Sequence, residues 1–216
     1  MLRVEHLRIG SLPPLTFEVA DGECLAVEGP SGTGKTRLLR TIADLDPVDG
    51  HIFLDGAERG ETRPEAWRKL VRYAAAEPGW WTDTPRPAFP TDDPGRPRLA
   101  RLLASLGLAE ELLDRPVSQL STGERQRLAL VRALIDEPRV LLLDEPSAAL
   151  DPASAALVEE VIRYQMLSRR SVLLVSHDSA QITRLAHARL LLAPPAGENG
   201  RAGPSGPSHS GNGGGR

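Results

Sequence analysis

An α/β fold around a largely parallel sheet is predicted by three features of the sequence. A short apolar run at Cys24–Glu28 leads into Gly29-Pro30-Ser31-Gly32-Thr33-Gly34-Lys35-Thr36, which fits G-x-x-x-x-G-K-[ST]. Leu38, Leu39, Ile42 and Leu45 then follow at helical spacing over residues 37–45, so strand, glycine loop and helix succeed one another directly. Further along, between residues 121 and 192, strand-sized apolar runs alternate with helical patterns, as in a parallel sheet. The opening residues instead alternate apolar and polar between turn signals, the pattern of an antiparallel-leaning β region. A chain of 216 residues, 40% hydrophobic and 25% charged, has the size and composition of one globular domain, with room for a small lobe.

In chain order, residues 2–9 alternate, Leu15–Val19 repeats the pattern, and Asp21-Gly22 supplies the turn into Cys24–Glu28. After the glycine loop and its helix, Pro47 and Gly50 precede a strand at 52–54, closed by Asp55-Gly56. A short helix around 66–70 and a strand at 70–76 come next. Pro78, Pro85, Pro87, Pro90, Pro94 and Pro97 then exclude a long helix. Leu99, Leu102, Leu103 and Leu106 mark one helix face, and Leu112-Leu113 belongs to another short helix. Residues 78–120 are expected to form a small helical lobe inserted into a nucleotide-binding domain of residues 1–193.

A helix over 121–135 is stopped by Asp136-Glu137-Pro138, and a buried strand follows at 140–143. Asp151-Pro152 gives the next helix an N-cap and a first-position proline. Leu157, Val161, Tyr164, Met166 and Leu167 are expected on its inner side, with Glu159 and Arg163 a surface i,i+4 pair. A strand at 172–175, a short helix near 180–185 and a strand at 190–192 complete the pattern. From Pro194 onward Gly, Pro and Ser dominate, so residues 194–216 are expected to be a disordered tail.

A net charge of −3 without a basic stripe argues against nucleic acid as a partner. Cys24 is the single cysteine, which excludes an intrachain disulfide and a thiolate metal cluster; in an apolar strand it reads as a buried structural thiol. Met1-Leu2-Arg3-Val4-Glu5-His6 is charged too early for a secretory signal. The longest apolar runs, residues 140–143, 172–175 and 190–193, are far short of a membrane span. A soluble, cytoplasmic chain is expected.

The glycine loop is a phosphate site for physical reasons. Glycines let successive backbone N–H groups face one concavity, at a helix N-terminus with partial positive charge. Lys35 would reach the β- and γ-phosphates of a nucleotide, and the Thr36 hydroxyl would ligate Mg²⁺. Residues 140–146, Val-Leu-Leu-Leu-Asp-Glu-Pro, end an apolar strand in two carboxylates, where ligands of such sheets bind. There Asp144 could hold Mg²⁺ through water and Glu145 could polarise an attacking water. Ser121 and Glu124 fit a capping box, S-x-x-E, at a helix start.

Taken with the loop and the acidic strand end, Leu120-Ser121-Thr122-Gly123-Glu124-Arg125-Gln126-Arg127 resembles the LSGGQ-type signature of the ATP-binding-cassette (ABC) ATPases. Ser147-Ala148-Ala149-Leu150-Asp151 is similar to that family's D-loop and Val175-Ser176-His177-Asp178 to its H-loop, all in the family's order over about residues 1–193. The resemblance implies a P-loop NTPase of the ABC-ATPase fold, with a mixed or parallel sheet core, an N-terminal antiparallel region and a small inserted helical lobe. It implies an ATPase working as a head-to-tail dimer. In each composite site residues 29–36 of one subunit would hold ATP, while the Ser121 hydroxyl and Gly123 N–H of the other close on the γ-phosphate. His177 would contact the γ-phosphate, and Asp151 would lie at the subunit boundary.

The chain departs from the family pattern in places. The aromatic that stacks on adenine is replaced by Ile9, and Thr122 and Glu124 stand where Gly and Gln are usual. Ala76 occupies the position of the Q-loop glutamine, with Glu77 beside it as a candidate substitute toward Mg²⁺. Trp80 and Trp81 follow directly. They either pack the lobe's core or anchor the groove in which the family receives a membrane subunit.

The function implied is the ATP-hydrolysing subunit of an ABC transporter. It would energise a separate membrane permease, bind ATP and Mg²⁺, and lie against the inner face of the cell membrane through that permease. Small bacterial cassettes, those paired with metal (iron) exporters among them, are the nearest in character. A soluble ABC-type nucleotide-binding regulator with weak or no hydrolysis is the alternative. A soluble ATPase of ribosomes or DNA is less suited, because the chain has one cassette, no heptad stretch and no basic face.

Overall fold

The computed structural model of the chain describes residues 1–90 and 95–193. The tail expected at 194–216 lies outside the described residues, as does part of the proline-rich segment, 91–94. The strands are β1 (Leu2–Leu7), β2 (Leu15–Val19), β3 (Cys24–Glu28), β4 (His51–Leu54), β5 (Ala57–Glu58), β6 (Val71–Ala74), β7 (Val140–Asp144), β8 (Ser171–Val175) and β9 (Ala188–Leu191). The helices are α1 (Lys35–Ile42), α2 (Pro64–Leu70), α3 (Arg96–Ser105), α4 (Thr122–Leu134), α5 (Pro152–Leu167) and α6 (Ser179–Leu185).

Two sheets result. One is antiparallel in the order β2-β1-β4-β5, and the other is parallel in the order β6-β7-β8-β3-β9. β7 and β8 are buried along their whole length, as expected of a parallel sheet covered on both faces. Their period of two divides them between two cores. Val140, Leu142, Leu173 and Val175 face the antiparallel sheet, α1 and Trp67, whereas Leu141, Leu143, Val172 and Leu174 face a core shared with residues of α3, α4 and α5. No helix among the described residues is long and apolar enough to cross a membrane.

Within 78–120 the chain forms a short 3₁₀ turn at Arg86–Ala88, then α3, then 3₁₀ turns at Glu110–Asp114 and Val117–Gln119. Leu99, Leu103, Leu106, Leu112 and Leu113 are buried there.

The structure corrects several boundaries and faces. α1 starts earlier than the apolar spacing suggested and stops at Ile42, because Asp44 turns into the left-handed region at φ +61°; Leu45 is exposed. β1 ends at Leu7 after a register shift, although Ile9 is still buried. β6 is shorter than 70–76.

On α5 the inward stripe is Ser154, Val158, Val161, Ile162 and Gln165, while Tyr164 and Leu167 are 65% and 83% exposed. Two adjacent stripes of this helix both satisfy helical spacing, so periodicity alone could not choose between them. Arg163 does bond Glu159 at 3.1 Å, but Glu159 is a buried carboxylate, not a surface one, and Arg184 is its closer partner, at 2.6 and 2.9 Å.

Candidate nucleotide site

β3 delivers the chain to the phosphate loop, and α1 leaves it with Gly34 as N-cap at φ +98°. A side chain at Gly29 (φ +150°) would have its Cβ 2.4 Å from the Leu192 carbonyl oxygen, because the chain beyond β9 runs against the loop. The Thr33 hydroxyl donates to the Pro30 carbonyl at 2.9 Å, and the Lys35 ammonium donates to the carbonyls of Gly29 (2.7 Å) and Pro30 (3.0 Å). The lysine is therefore held inside the curl of its own loop. Ser31 and Gly32 are exposed, and Gly32, Gly34, Lys35 and Thr36 line one cavity with Arg37 and Arg40.

At the carboxyl end of β7, Asp144 is buried and its Oδ2 accepts from two hydroxyls, Thr36 Oγ1 at 2.7 Å and Tyr73 Oη at 3.0 Å. Burial and the adjacent Asp144 carboxylate push the Tyr73 phenol above its ordinary range.

Glu145 follows in the left-handed region at φ +50°. Its N–H donates to the Val175 carbonyl at 2.9 Å, and its carbonyl accepts from Gln126 Nε2 at 2.6 Å and from the Ala148 N–H at 3.3 Å. The His177 N–H donates to Glu145 Oε2 at 3.3 Å, and the imidazole Nε2 stands 3.4 Å from Oε1 without completing a hydrogen bond. Burial raises the Glu145 pKa, partly offset by the His177 N–H.

The structure thus brings Lys35, Thr36, Asp144, Glu145 and His177 to one end of the parallel sheet. The hydroxyl of Thr36 beside the carboxylate of Asp144 is a hard oxygen pair that suits Mg²⁺, which takes few protein ligands and keeps phosphate and water oxygens. Among the described residues no three His, Cys, Asp or Glu side chains gather into a metal cluster; Glu77 is exposed, after Ala76, beyond the end of β6.

Ser121, Gly123 and Asp151 are engaged elsewhere. Ser121 caps α4 in a reciprocal box: Glu124 N–H to Ser121 Oγ at 3.2 Å and Ser121 N–H to Glu124 Oε2 at 2.8 Å. A Cβ on Gly123 would lie 3.1 Å from Leu150, which places the start of α4 against the loop that follows β7. Asp151 caps α5, accepting from the N–H groups of Ala153 and Ser154 at 3.0 Å each; these bonds, with Ser154 foremost, hold its carboxyl below the usual range.

Sequence reasoning missed Tyr73 and Gln126. Gln126 had a signal: a polar residue on α4 at a position facing the apolar core, 5% exposed. Tyr73 carried none beyond being an aromatic in a strand. Ile9 is 2% exposed, with its side chain packed under Gly34, so it has no face to offer a base. The two tryptophans divide. Trp80 packs on the core near Phe89 (ring centroids 6.4 Å apart), whereas Trp81 is 73% exposed. The Arg132 guanidinium lies over both rings, 4.5 and 4.8 Å from their centroids, and bonds the Gly79 carbonyl at 3.1 Å.

Fold and site together define a P-loop ATPase cassette. Residues 12–148 match the sequence model of the family described as "ABC transporter", and the chain belongs to that family. It is 35% identical over 192 residues to the "Probable iron export ATP-binding protein FetA" of Escherichia coli (strain K12), covering 85% of each chain. To the "Aliphatic sulfonates import ATP-binding protein SsuB" of Ralstonia nicotianae it is 39% identical, over 88% of this chain and 69% of that one. A second such sulfonate protein, from Agrobacterium fabrum, is 41% identical over 77% of this chain, and the match spans 64% of its length. A solved "ATP binding subunit of ABC transporter" superposes with TM-score 0.80 at 26% identity, covering 88% of this chain and 85% of that one. The cassette MJ0796, in a dimeric post-hydrolysis state bound to ADP and Pi, shares the fold at TM-score 0.74 and 23% identity, over 89% and 94% of the two chains.

Proposed function

We propose that the chain hydrolyses ATP with Mg²⁺ at the interface of a head-to-tail dimer and so drives a separate membrane permease. The observation that carries this reading is the convergence of Lys35, the Thr36–Asp144 pair and the Glu145–His177 pair at one sheet end. Residues 29–36 cradle the phosphates with backbone N–H groups, and Lys35 exchanges its loop carbonyls for the β- and γ-phosphates. Glu145 takes a proton from water as the water oxygen attacks the γ-phosphorus and the bond to ADP breaks. Its raised pKa and hydrogen-bond-free Oε1 suit a proton acceptor, with His177 alongside at the γ-phosphate. Mg²⁺, when bound, neutralises charge on the phosphate oxygens; Thr36 and Asp144 would hold it, and Glu77 is a further candidate toward it. Ser121 and Gly123, at the start of α4, would meet the partner cassette's nucleotide, with Asp151 at the boundary.

Relatives named for import and for export match at 39% and 35% identity, so direction and cargo belong to the permease. Trp81, backed by the half-buried Arg132 guanidinium, offers that permease an exposed aromatic surface, and docking there would place the chain on the cytoplasmic face of the membrane. In this reading residues 1–193 are one nucleotide-binding domain and 78–120 its helical lobe.

The test is a pull-down from solubilised membranes with tagged Glu145→Gln and ATP, together with phosphate release by the wild type. Active wild type, an inactive variant and one multi-span protein in stoichiometric amount are expected. Ribosomal or DNA-repair proteins in the pull-down would refute the transporter reading. Equal, near-zero rates for both proteins would point to a non-hydrolysing regulator.

A further inference from the structure

We propose that Tyr73 is a positioning residue for the Mg²⁺-side carboxylate, fixing which oxygen of Asp144 faces the metal. The inference rests on the reading of Thr36 and Asp144 just given.

An aspartate side chain ends in two chemically equal oxygens, and rotation about its last bond exchanges them. In this chain they are made unequal. Oδ2 accepts from Thr36 at 2.7 Å and from Tyr73 at 3.0 Å, whereas no protein hydrogen bond reaches Oδ1 among the described residues. A phenol has a single proton to donate, so the Tyr73 bond marks one oxygen as the anchored one and leaves the other for a metal or a metal-bound water.

The donor is well placed to hold its position. Tyr73 lies on β6 opposite Leu142 of β7, its ring packs against the core beneath the antiparallel sheet, and the backbone of β6 is paired along its length with β7. Thr36, by contrast, belongs to the nucleotide loop: its oxygen can ligate the metal while its proton still goes to Oδ2, so its bond moves with the loop. Tyr73 is the contact that holds the same oxygen from the sheet, independently of the loop.

The strand carrying this hydroxyl has a second neighbour. Beyond Ala74 the chain runs through Ala76 and Glu77 to Trp80 and Trp81. With alanine at position 76 there is no side-chain amide to reach the metal from that segment. Tyr73 is therefore the hydrogen bond that links the β6 segment, and the aromatic surface it leads to, with the metal carboxylate.

Tyr73→Phe tests this, because it keeps the ring and deletes the hydroxyl. In a Glu145→Gln background, where ATP is not consumed, thermal melting is followed with ATP plus chelator and with ATP plus increasing Mg²⁺. ATP alone should stabilise Tyr73→Phe as much as its parent, while the Mg²⁺ concentration giving half of the metal-dependent increment rises about tenfold, as for other outer partners of metal ligands. A purely structural role would lower both melting curves and leave that concentration unchanged, which would overturn the inference. Asp144→Asn in the same background separates the two readings. If it too keeps the full Mg²⁺ increment, the assignment of the metal side is wrong. If Asp144→Asn loses the increment and Tyr73→Phe does not, the role of Tyr73 alone is refuted.

Discussion

Replacing Gln126 by leucine should slow hydrolysis without weakening nucleotide binding. The side chain is buried, and its amide donates to the Glu145 carbonyl at 2.6 Å. Glu145 is held at φ +50°, a conformation that costs a residue with a Cβ about 1–2 kcal/mol. A buried hydrogen bond contributes about 1 kcal/mol net, and losing it outright would cost more if the acceptor were orphaned. Here the Ala148 N–H still reaches the same carbonyl at 3.3 Å, so the lower figure applies. A shift of about 1 kcal/mol against the working backbone conformation corresponds to about a fivefold loss of rate. Steady-state phosphate release with Gln126→Leu should therefore show kcat reduced about 3- to 10-fold, the KM for ATP within about twofold, and a melting point about 2–4 °C lower. Gln126→Glu, which offers the carbonyl no obligatory donor, should be slower still. If the melting point falls while kcat holds, Gln126 serves only the fold and the argument from Glu145 fails.

Other outcomes follow from the same geometry. Trp81→Ala should leave ATP turnover and melting unchanged but abolish recovery of the permease in the pull-down, whereas Trp80→Ala should lower stability by about 1–2 kcal/mol, less than for a fully buried aromatic because Trp80 is only half-buried against the core; equal effects at the two positions would contradict their different burial. Gly29→Ala should unseat the chain after β9 and cost about 2 kcal/mol or more, since its Cβ meets a backbone oxygen; unfolding in urea would reveal an unaffected variant. Glu159, 7% exposed in its side chain, is held below the carboxylate range foremost by hydrogen bonding from Arg184. Its contribution is present above the unfolded pKa of about 4.3 and lost as pH falls through the lower folded value. The melting-point gap between wild type and Glu159→Gln should therefore be wide at pH 7 and close near pH 3; a gap unchanged between them would disprove the linkage.

The three central strands of the parallel sheet, β3, β7 and β8, could be read from the sequence because each is a run too apolar to be anything but buried, whereas the edge strands β6 and β9 are only partly covered. The meeting of the glycine loop with the strand-end carboxylates was legible from context, because an acidic strand end is common alone but becomes specific beside a strand–glycine-loop–helix motif. What escaped was whatever depends on the third dimension alone. α5 carries two plausible apolar stripes, and only the packing of α6 and the sheet selects Val158 and Ile162 over Tyr164. Tyr73 and Asp144 are 71 residues apart, and nothing local in either segment announces a shared proton. Arg132, a helix residue of ordinary character, became informative only once it lay over both tryptophans.

The order of strands in the parallel sheet has a consequence for how this protein is made. β3, which feeds the phosphate loop, is among the first strands to be synthesised, yet its neighbours on either side are β8 and β9, the last among the described residues. Until Ser171–Val175 and Ala188–Leu191 leave the ribosome, Cys24–Glu28 has no strand to pair with. The nascent loop therefore cannot be closed around a nucleotide early and must wait as an unpaired apolar segment, a topology that favours slow, chain-length-dependent folding and exposes the strand to misassociation meanwhile. Synthesis itself thus acts as a timer, with the nucleotide site maturing only as its last strand is laid down.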